Sequence, residues 1–242
     1  MNNSRRHASH RIPPRRPLPD SASHGSGTVP RRVGVLREDA SERAELESFI
    51  RADFARVYGA DVRHFMPHLM GLRGDDETLL AALGFRTAAE DHLFLEHYLH
   101  APVEAMLADA GHRIPRAGIV EVGNLAVSRA GGARWLITAL TAYLEGARYR
   151  WVVFTAVPSL INSFARMGID LIRLAQAESA RLPLAEQALW GSYYATGPTV
   201  VAVSVGQAFD ALTAYLDLPR DRYRLAPLWG RAYAAGLAVG YA

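Results

Sequence analysis

The chain has 242 residues, half of them hydrophobic, with 27 basic and 24 acidic side chains. That is enough for one substantial domain with a real core. It has no cysteine and no lysine, which excludes disulfides, thiolate zinc sites, a cysteine nucleophile and lysine Schiff-base chemistry.

The net charge of +3 is unevenly spread: residues 1–32 hold seven arginines against one acid, Asp20. The remainder is slightly acidic, so the folded part gives no bulk signal for nucleic acid. No run reaches the roughly 18 apolar residues of a membrane span. The N-terminal arginines are not followed by the apolar run of a secretory signal. The expectation is a cytoplasmic protein with no nucleic-acid partner and no transmembrane segment.

Residues 1–32 are rich in Arg, Pro, Ser, Gly and His and cannot bury enough apolar area to offset ordering, which predicts a disordered tail. Val33–Glu38 reads as a short edge strand, and Asp39 or Ser41 as the cap of a helix carrying Leu46, Phe49, Ile50, Phe54 and Val57. Phe65–Leu72 and Thr78–Phe85 flank the polar turn 73–77 and read as an antiparallel hairpin, with Pro67 pushing the first strand's start beyond it. Leu93–Leu99 reads as a short strand or entry segment; as a strand it would carry Phe94, Glu96 and Tyr98 on one face. Pro102 opens a helix to Asp109. Residues 118–127 read as a strand, Arg134–Leu144 as a helix, Tyr149–Ala156 as a strand, Pro158–Met167 as a helix, Ile169–Ala175 as a strand. Trp190–Tyr194 is an aromatic cluster, Thr199–Val205 a strand and 206–218 a last helix. Residues 219–242 have no clear reading. The succession predicts a mixed α/β sheet in one domain over about 33–205, followed by a C-terminal helical extension, 206–242.

The run Ile119–Val127 is the focus. It is β-prone and apolar except for Glu121 and Asn124. A charged residue in a central strand is costly without a partner or a task. Regular alternation puts Glu121 on the face of Gly123, Leu125 and Val127, and Asn124 on the other unless a bulge intervenes. One reading of Glu121 is a general base or a binder of the acceptor amine; the other is a structural carboxylate paired with an arginine such as Arg86. His64/His68 and His97/His100 have spacings seen in metal sites, but with no cysteine or dense acidic cluster no metal is expected.

The order of elements resembles the general N-acyltransferase (GNAT) superfamily. Glu121-Val122-Gly123-Asn124-Leu125-Ala126-Val127 is similar to a strand motif of acyl-homoserine-lactone autoinducer synthases. The span from about Phe49 to Val205 resembles the thermostable hemolysin family, through Phe85–Ala88, Leu93–Leu99, Pro102–Glu104, Val120–Ala126, Val153–Ala156 and Trp190–Tyr194. Gly123 and Asn124 stand where autoinducer synthases have serine and arginine. Phe164 stands where many acyltransferases have a tyrosine acid.

The resemblance implies a GNAT-like, mostly antiparallel sheet flanked by helices. It also implies transfer of an acyl group from acyl-CoA or an acyl carrier protein to a small amine or amino-acid-like acceptor. Glu121 would be the base, and Tyr194 would replace the missing tyrosine acid. Leu125, Ala126 and Val127 would offer amides to the pantetheine arm. Arg129, Gly131, Gly132 and Arg134 would hold the pyrophosphate at a helix start, with Asn162 beside the carrier. Arg86, Phe94, Glu96, Tyr98, Asn124 and Trp190 would line the acceptor site. Two other classes stay open: a membrane-active toxin and a non-catalytic thioester-binding module.

Overall fold

The computed structural model describes residues 29–128, 131–217 and 219–240, of which 219–224 by backbone alone. The expected disordered tail, but for its last four residues, and Arg129 lie outside the described residues.

The elements are β1 (Arg32–Leu36), α1 (Arg43–Tyr58), β2 (His68–Arg73), β3 (Leu79–Thr87), α2 (Val103–Asp109), β4 (Ile119–Val127), α3 (Gly132–Gly146), β5 (Trp151–Ala156), α4 (Pro158–Arg166), β6 (Ile172–Gln176), α5 (Leu184–Gln187), β7 (Thr199–Ser204), α6 (Val205–Leu216) and α7 (Pro219–Gly240). The seven strands form one sheet in the order β1-β2-β3-β4-β5-β7-β6. Every pairing is antiparallel except β4–β5, whose ends are joined through α3.

Each sheet face is covered. The larger core joins Val120, Val122, Val152, Phe154, Val201 and Val203 of the sheet to α3, α4, α6 and α7. The opposite face splits in two. Leu46, Ile50 and Phe54 of α1 cover Leu69, Ala82 and Ala126. Leu93, Leu95 and Tyr98, with α2, cover Ile119, Trp151, Val153 and Val200. Helix α1 therefore buries the apolar stripe its spacing predicts, although it starts at Arg43 with no side-chain cap rather than at Asp39 or Ser41.

The predicted strand Leu93–Leu99 is instead a 3-10 turn, Phe94–Tyr98. Its amides are already taken. The Glu96 carboxylate accepts from the N–H of Leu93, and Glu121 accepts from those of Phe94 and Leu95. A segment with these donors committed has none left for a ladder.

The predicted faces of β4 change midway. The β3–β4 register shifts between Ala82 and Gly84, opposite Gly123–Ala126, and Asn124 takes a left-handed conformation at φ 53°. This β-bulge turns Leu125 toward the larger core and Ala126 toward α1. Glu121 thus shares its face with Gly123 and Ala126, not with Leu125 and Val127.

The C-terminal helices belong to the larger core, which includes Leu212, Leu216, Leu225, Leu228 and Ala232. Helix α7 lies against α3 at a glycine contact: a Cβ on Gly236 would stand 2.0 Å from the carbonyl oxygen of Tyr143, and one on Gly146 2.4 Å from that of Tyr233. Gly236→Ala must push the helices apart and is expected to cost about 1–3 kcal/mol, as overpacking does. Gly230→Ala, whose added methyl meets open space, should not. Thermal melts of both variants check this; equal melting temperatures would contradict the packing.

Candidate active site

Glu121 is only 2% exposed, at the middle of β4. Its register partner across β3 is Arg86, whose Nε donates to Oε2 at 2.7 Å. Oε2 also accepts from Phe94 N at 2.9 Å, and Oε1 from Leu95 N at 2.8 Å. The expectation of a carboxylate open to an acceptor amine is thereby corrected: both oxygens are occupied, one by the arginine and both by the turn that crosses over the strand.

Glu96 has the same fate. It is 7% exposed and accepts from Leu93 N, Val103 N and Arg116. Burial pushes its carboxyl up, but Arg116 and the two backbone donors outweigh burial and hold it at about 2. Arg116 also binds Glu104 and the carbonyls of Ala88 and Asp91. Glu96 therefore ties the turn to the start of α2, and the open pocket it lines is walled by residues 88–92, Pro102, Glu104 and Arg116, not by the expected aromatic residues.

The expected aromatic residues do come together. The rings of Phe94 and Trp190 lie 5.8 Å apart, and those of Trp190 and Tyr194 6.0 Å. The Tyr98 and Tyr194 hydroxyls share a hydrogen bond. Burial pushes the Tyr194 phenol up to about 12. Burial and then its hydrogen bond with Tyr194 raise Tyr98 well above the usual tyrosine range. Both hydroxyls stay protonated at neutral pH. The indole N–H of Trp190 is buried with no partner among the described residues. On the far side Tyr193, Phe54 and Tyr58 continue the cluster, and the Tyr193 hydroxyl reaches the Thr155 carbonyl at 3.4 Å.

Between these walls the sheet opens. The β4–β5 pairing ends at Val122–Phe154, while both strands run on. Beyond it β5 stays paired to β7, and β4 to β3. Of the three expected amides, Ala126 lies in the ladder opposite Ala82, and Val127 N donates to Asp53 Oδ2 at 3.1 Å. Ladder alternation puts Leu125 N–H on the same edge as Val127 N–H, toward the gap. Asp53 was not singled out by sequence. Its carboxylate is 12% exposed, and it sits on the buried stripe of α1 between Ile50 and Phe54, where an acid breaks the apolar pattern.

Asn124 does not line this gap as an acceptor ligand. Its Oδ1 accepts from Met66 N at 3.1 Å. The Met66 side chain packs on Gly84 and Gly123, where an added Cβ would stand 2.7 and 2.8 Å away. The bulge thus fastens the segment before β2 to the sheet.

At the start of α3, Gly131 is left-handed at φ 85° and Gly132 lies against Val127. Arg134 Nη1 donates to the Tyr215 hydroxyl at 3.1 Å, which engages it with α6. Asn162 is exposed on α4. Phe164 stacks on Phe154 at 5.1 Å. His64 approaches Glu186 at 3.5 Å, whereas His68 stacks on Phe85, so that pair does not converge.

Residues 36–209 match the family model described as thermostable hemolysin. No curated protein matches the chain. Among solved structures, FeeM, an N-acyl amino acid synthase from uncultured soil microbes, is similar with a TM-score of 0.51 and 15% identity, over 77% of this chain and 99% of that one. BjaI, a CoA-dependent acyl-homoserine lactone synthase with SAM and isopentyl-CoA, gives 0.51 and 13% over 80% and 91%. The acyl-homoserine lactone synthase LasI gives 0.50 and 13% over 76% and 94%. At these identities the likeness is one of fold, and it establishes the GNAT-like sheet.

The Glu96–Arg116 pair yields a pH prediction. The native carboxyl is held at about 2 against the ordinary glutamate value of 4.5. Its contribution to stability is therefore full above 4.5 and disappears as pH falls toward 2. Glu96→Gln should flatten the loss of stability over that window. Arg116→Met should cost about 3–5 kcal/mol at neutral pH, because it leaves a buried carboxylate without its cation. Denaturant melts from pH 2 to 7 measure both; an unchanged acid limb in Glu96→Gln would contradict the assignment.

Proposed function

The chain belongs to the thermostable hemolysin family, and from that premise we propose that it is an N-acyltransferase using a thioester donor, acyl-CoA or an acylated carrier protein, and a small amine acceptor. The observation that carries the reading is the parting of β4 and β5 beyond Val122–Phe154. A parted edge offers Leu125 N–H to a thioester lying in the gap, with an apolar crevice on one sheet face and tyrosines and a carboxylate on the other.

The reaction follows from these groups. The amine nitrogen attacks the thioester carbonyl carbon, the C–N bond forms and the C–S bond breaks. Direct attack is favoured, since no cysteine can form an acyl-enzyme. Leu125 N–H faces the oxygen that gains charge. Tyr194, kept protonated by burial and partnered by Tyr98, gives its proton to the departing thiolate. Asp53, at the edge of the gap and engaged by Val127 N–H and by the exposed Arg56, receives the proton released by the amine on a remaining lone pair. Phe94, Tyr98 and Trp190 form the acceptor wall, with the Trp190 N–H as an open donor. Glu121 and Arg86 hold that wall on the strand and act through it. Gly131 and Gly132 open α3 as the place for a carrier phosphate. With a long acyl chain the N-acylated product would be an amphiphile, and such a product would lyse cells with no pore formed by the protein.

Incubation of purified protein with mixed acyl-CoA and acylated carrier protein, in a metabolite extract, should yield new acyl amides by mass spectrometry. Tyr194→Phe should slow their formation by roughly 10²–10⁴-fold, the usual worth of a positioned acid. No amide from any donor, or an undiminished rate in Tyr194→Phe, would reject the reading.

A further inference from the structure

The crevice beside the parted strands is lined by Val122, Leu125, Leu140, Phe154, Leu160 and Phe164 among other apolar side chains, with Thr141 as the one polar group. It lies on the α3 and α4 side of the sheet, opposite Glu121. A cavity without polar partners stays dry, so water is not its natural occupant. Its free volume is about 40 Å³, and about 400 Å³ once the packing gaps and open mouth are counted. As it stands, the crevice has room for a small group and not for an extended alkyl chain.

The wall that closes it is weakly built. Helix α4 has nine residues, and Phe164, 8% exposed, is the one buried among them. Leu160 and Ile161 are half-buried, and the Phe164 ring rests on Phe154. Displacing that ring extends the crevice along α4, whereas the α3 wall is fixed by burial on nearly every side.

Resting on the acyltransferase reading, we propose that this crevice takes the donor's alkyl chain, and that the Phe164 ring is a displaceable plug whose position against Phe154 sets the number of methylenes admitted. The ligand class is a straight-chain aliphatic thioester longer than acetyl. The chain enters from the gap with its carbonyl at Leu125 and moves the Phe164 ring outward.

The test uses S-alkyl-CoA thioethers of increasing chain length, which bind but cannot transfer. Affinity for the wild-type protein should rise about fourfold per methylene, the worth of burying one CH₂, up to a limiting length. Phe164→Ala should move that limit to longer chains, and Leu160→Trp, at the half-buried edge, to shorter ones. The wild-type series and Leu160→Trp keep the test decisive if Phe164→Ala does not fold. Affinity independent of chain length overturns the proposal, as does a limit that neither variant moves. A length limit without any acyl amide formed rejects the acyltransferase reading and leaves the slot standing. Acetyl transfer with flat binding does the reverse.

Discussion

The buried carboxylate of Glu121 is the constraint on which the rest depends. An ionised carboxylate placed in a sheet interior costs several kcal/mol unless its oxygens are satisfied. Here three donors do so: Arg86 from the neighbouring strand and two amides from a turn distant in sequence. The same contacts deny that turn a ladder and coil it as a 3-10 helix, and they set Phe94 and Tyr98 over the strand. Glu96 and Arg116 repeat the arrangement one step outward, binding the turn to α2. Two carboxylates in series thus replace what a strand pairing would otherwise supply, and they build the aromatic wall that faces Tyr194.

The second constraint is the bulge at Asn124. It interrupts the β3–β4 register just beyond the last β4–β5 pair. The strand changes face there, so an apolar crevice forms on one side while Ala126 and Asp53 lie on the other. Asn124 is strained in its backbone, and its amide side chain joins the segment before β2 to the strand. A regular strand would have paired with β5 along its whole length and closed the gap.

Much of this was legible in the sequence. The aliphatic β-prone runs gave β4, β5 and β7 within a few residues, the polar turn 73–77 gave the β2–β3 hairpin, and the isolated acid in β4 marked the centre. Arg86 as its alternative partner was also readable, because a buried acid requires a cation. What stayed hidden had physical causes. The alternation of Phe94, Glu96 and Tyr98 is that of a strand, and only a carboxylate 26 residues further along diverts its amides. Gly84 and Gly123 flank the bulge, but the left-handed residue is Asn124, so no glycine marks the turning point itself. Helix α7 contains Pro227 and several small residues, which lower its intrinsic signal, and it is held by a close glycine contact with α3 that no local pattern reveals. Asp53 was visible as an acid one helical turn before Arg56, with which it pairs, but its second partner, a strand amide, follows from the tertiary fold alone.

Amide hydrogen exchange at Phe94 and Leu95 tests the central claim most directly. If Glu121 anchors the turn, both N–H groups are protected in the native protein. In a folded Glu121→Ala variant they exchange orders of magnitude faster while the β5–β7 ladder keeps its protection. Protection at Phe94 and Leu95 that survives the loss of the carboxylate would contradict the account.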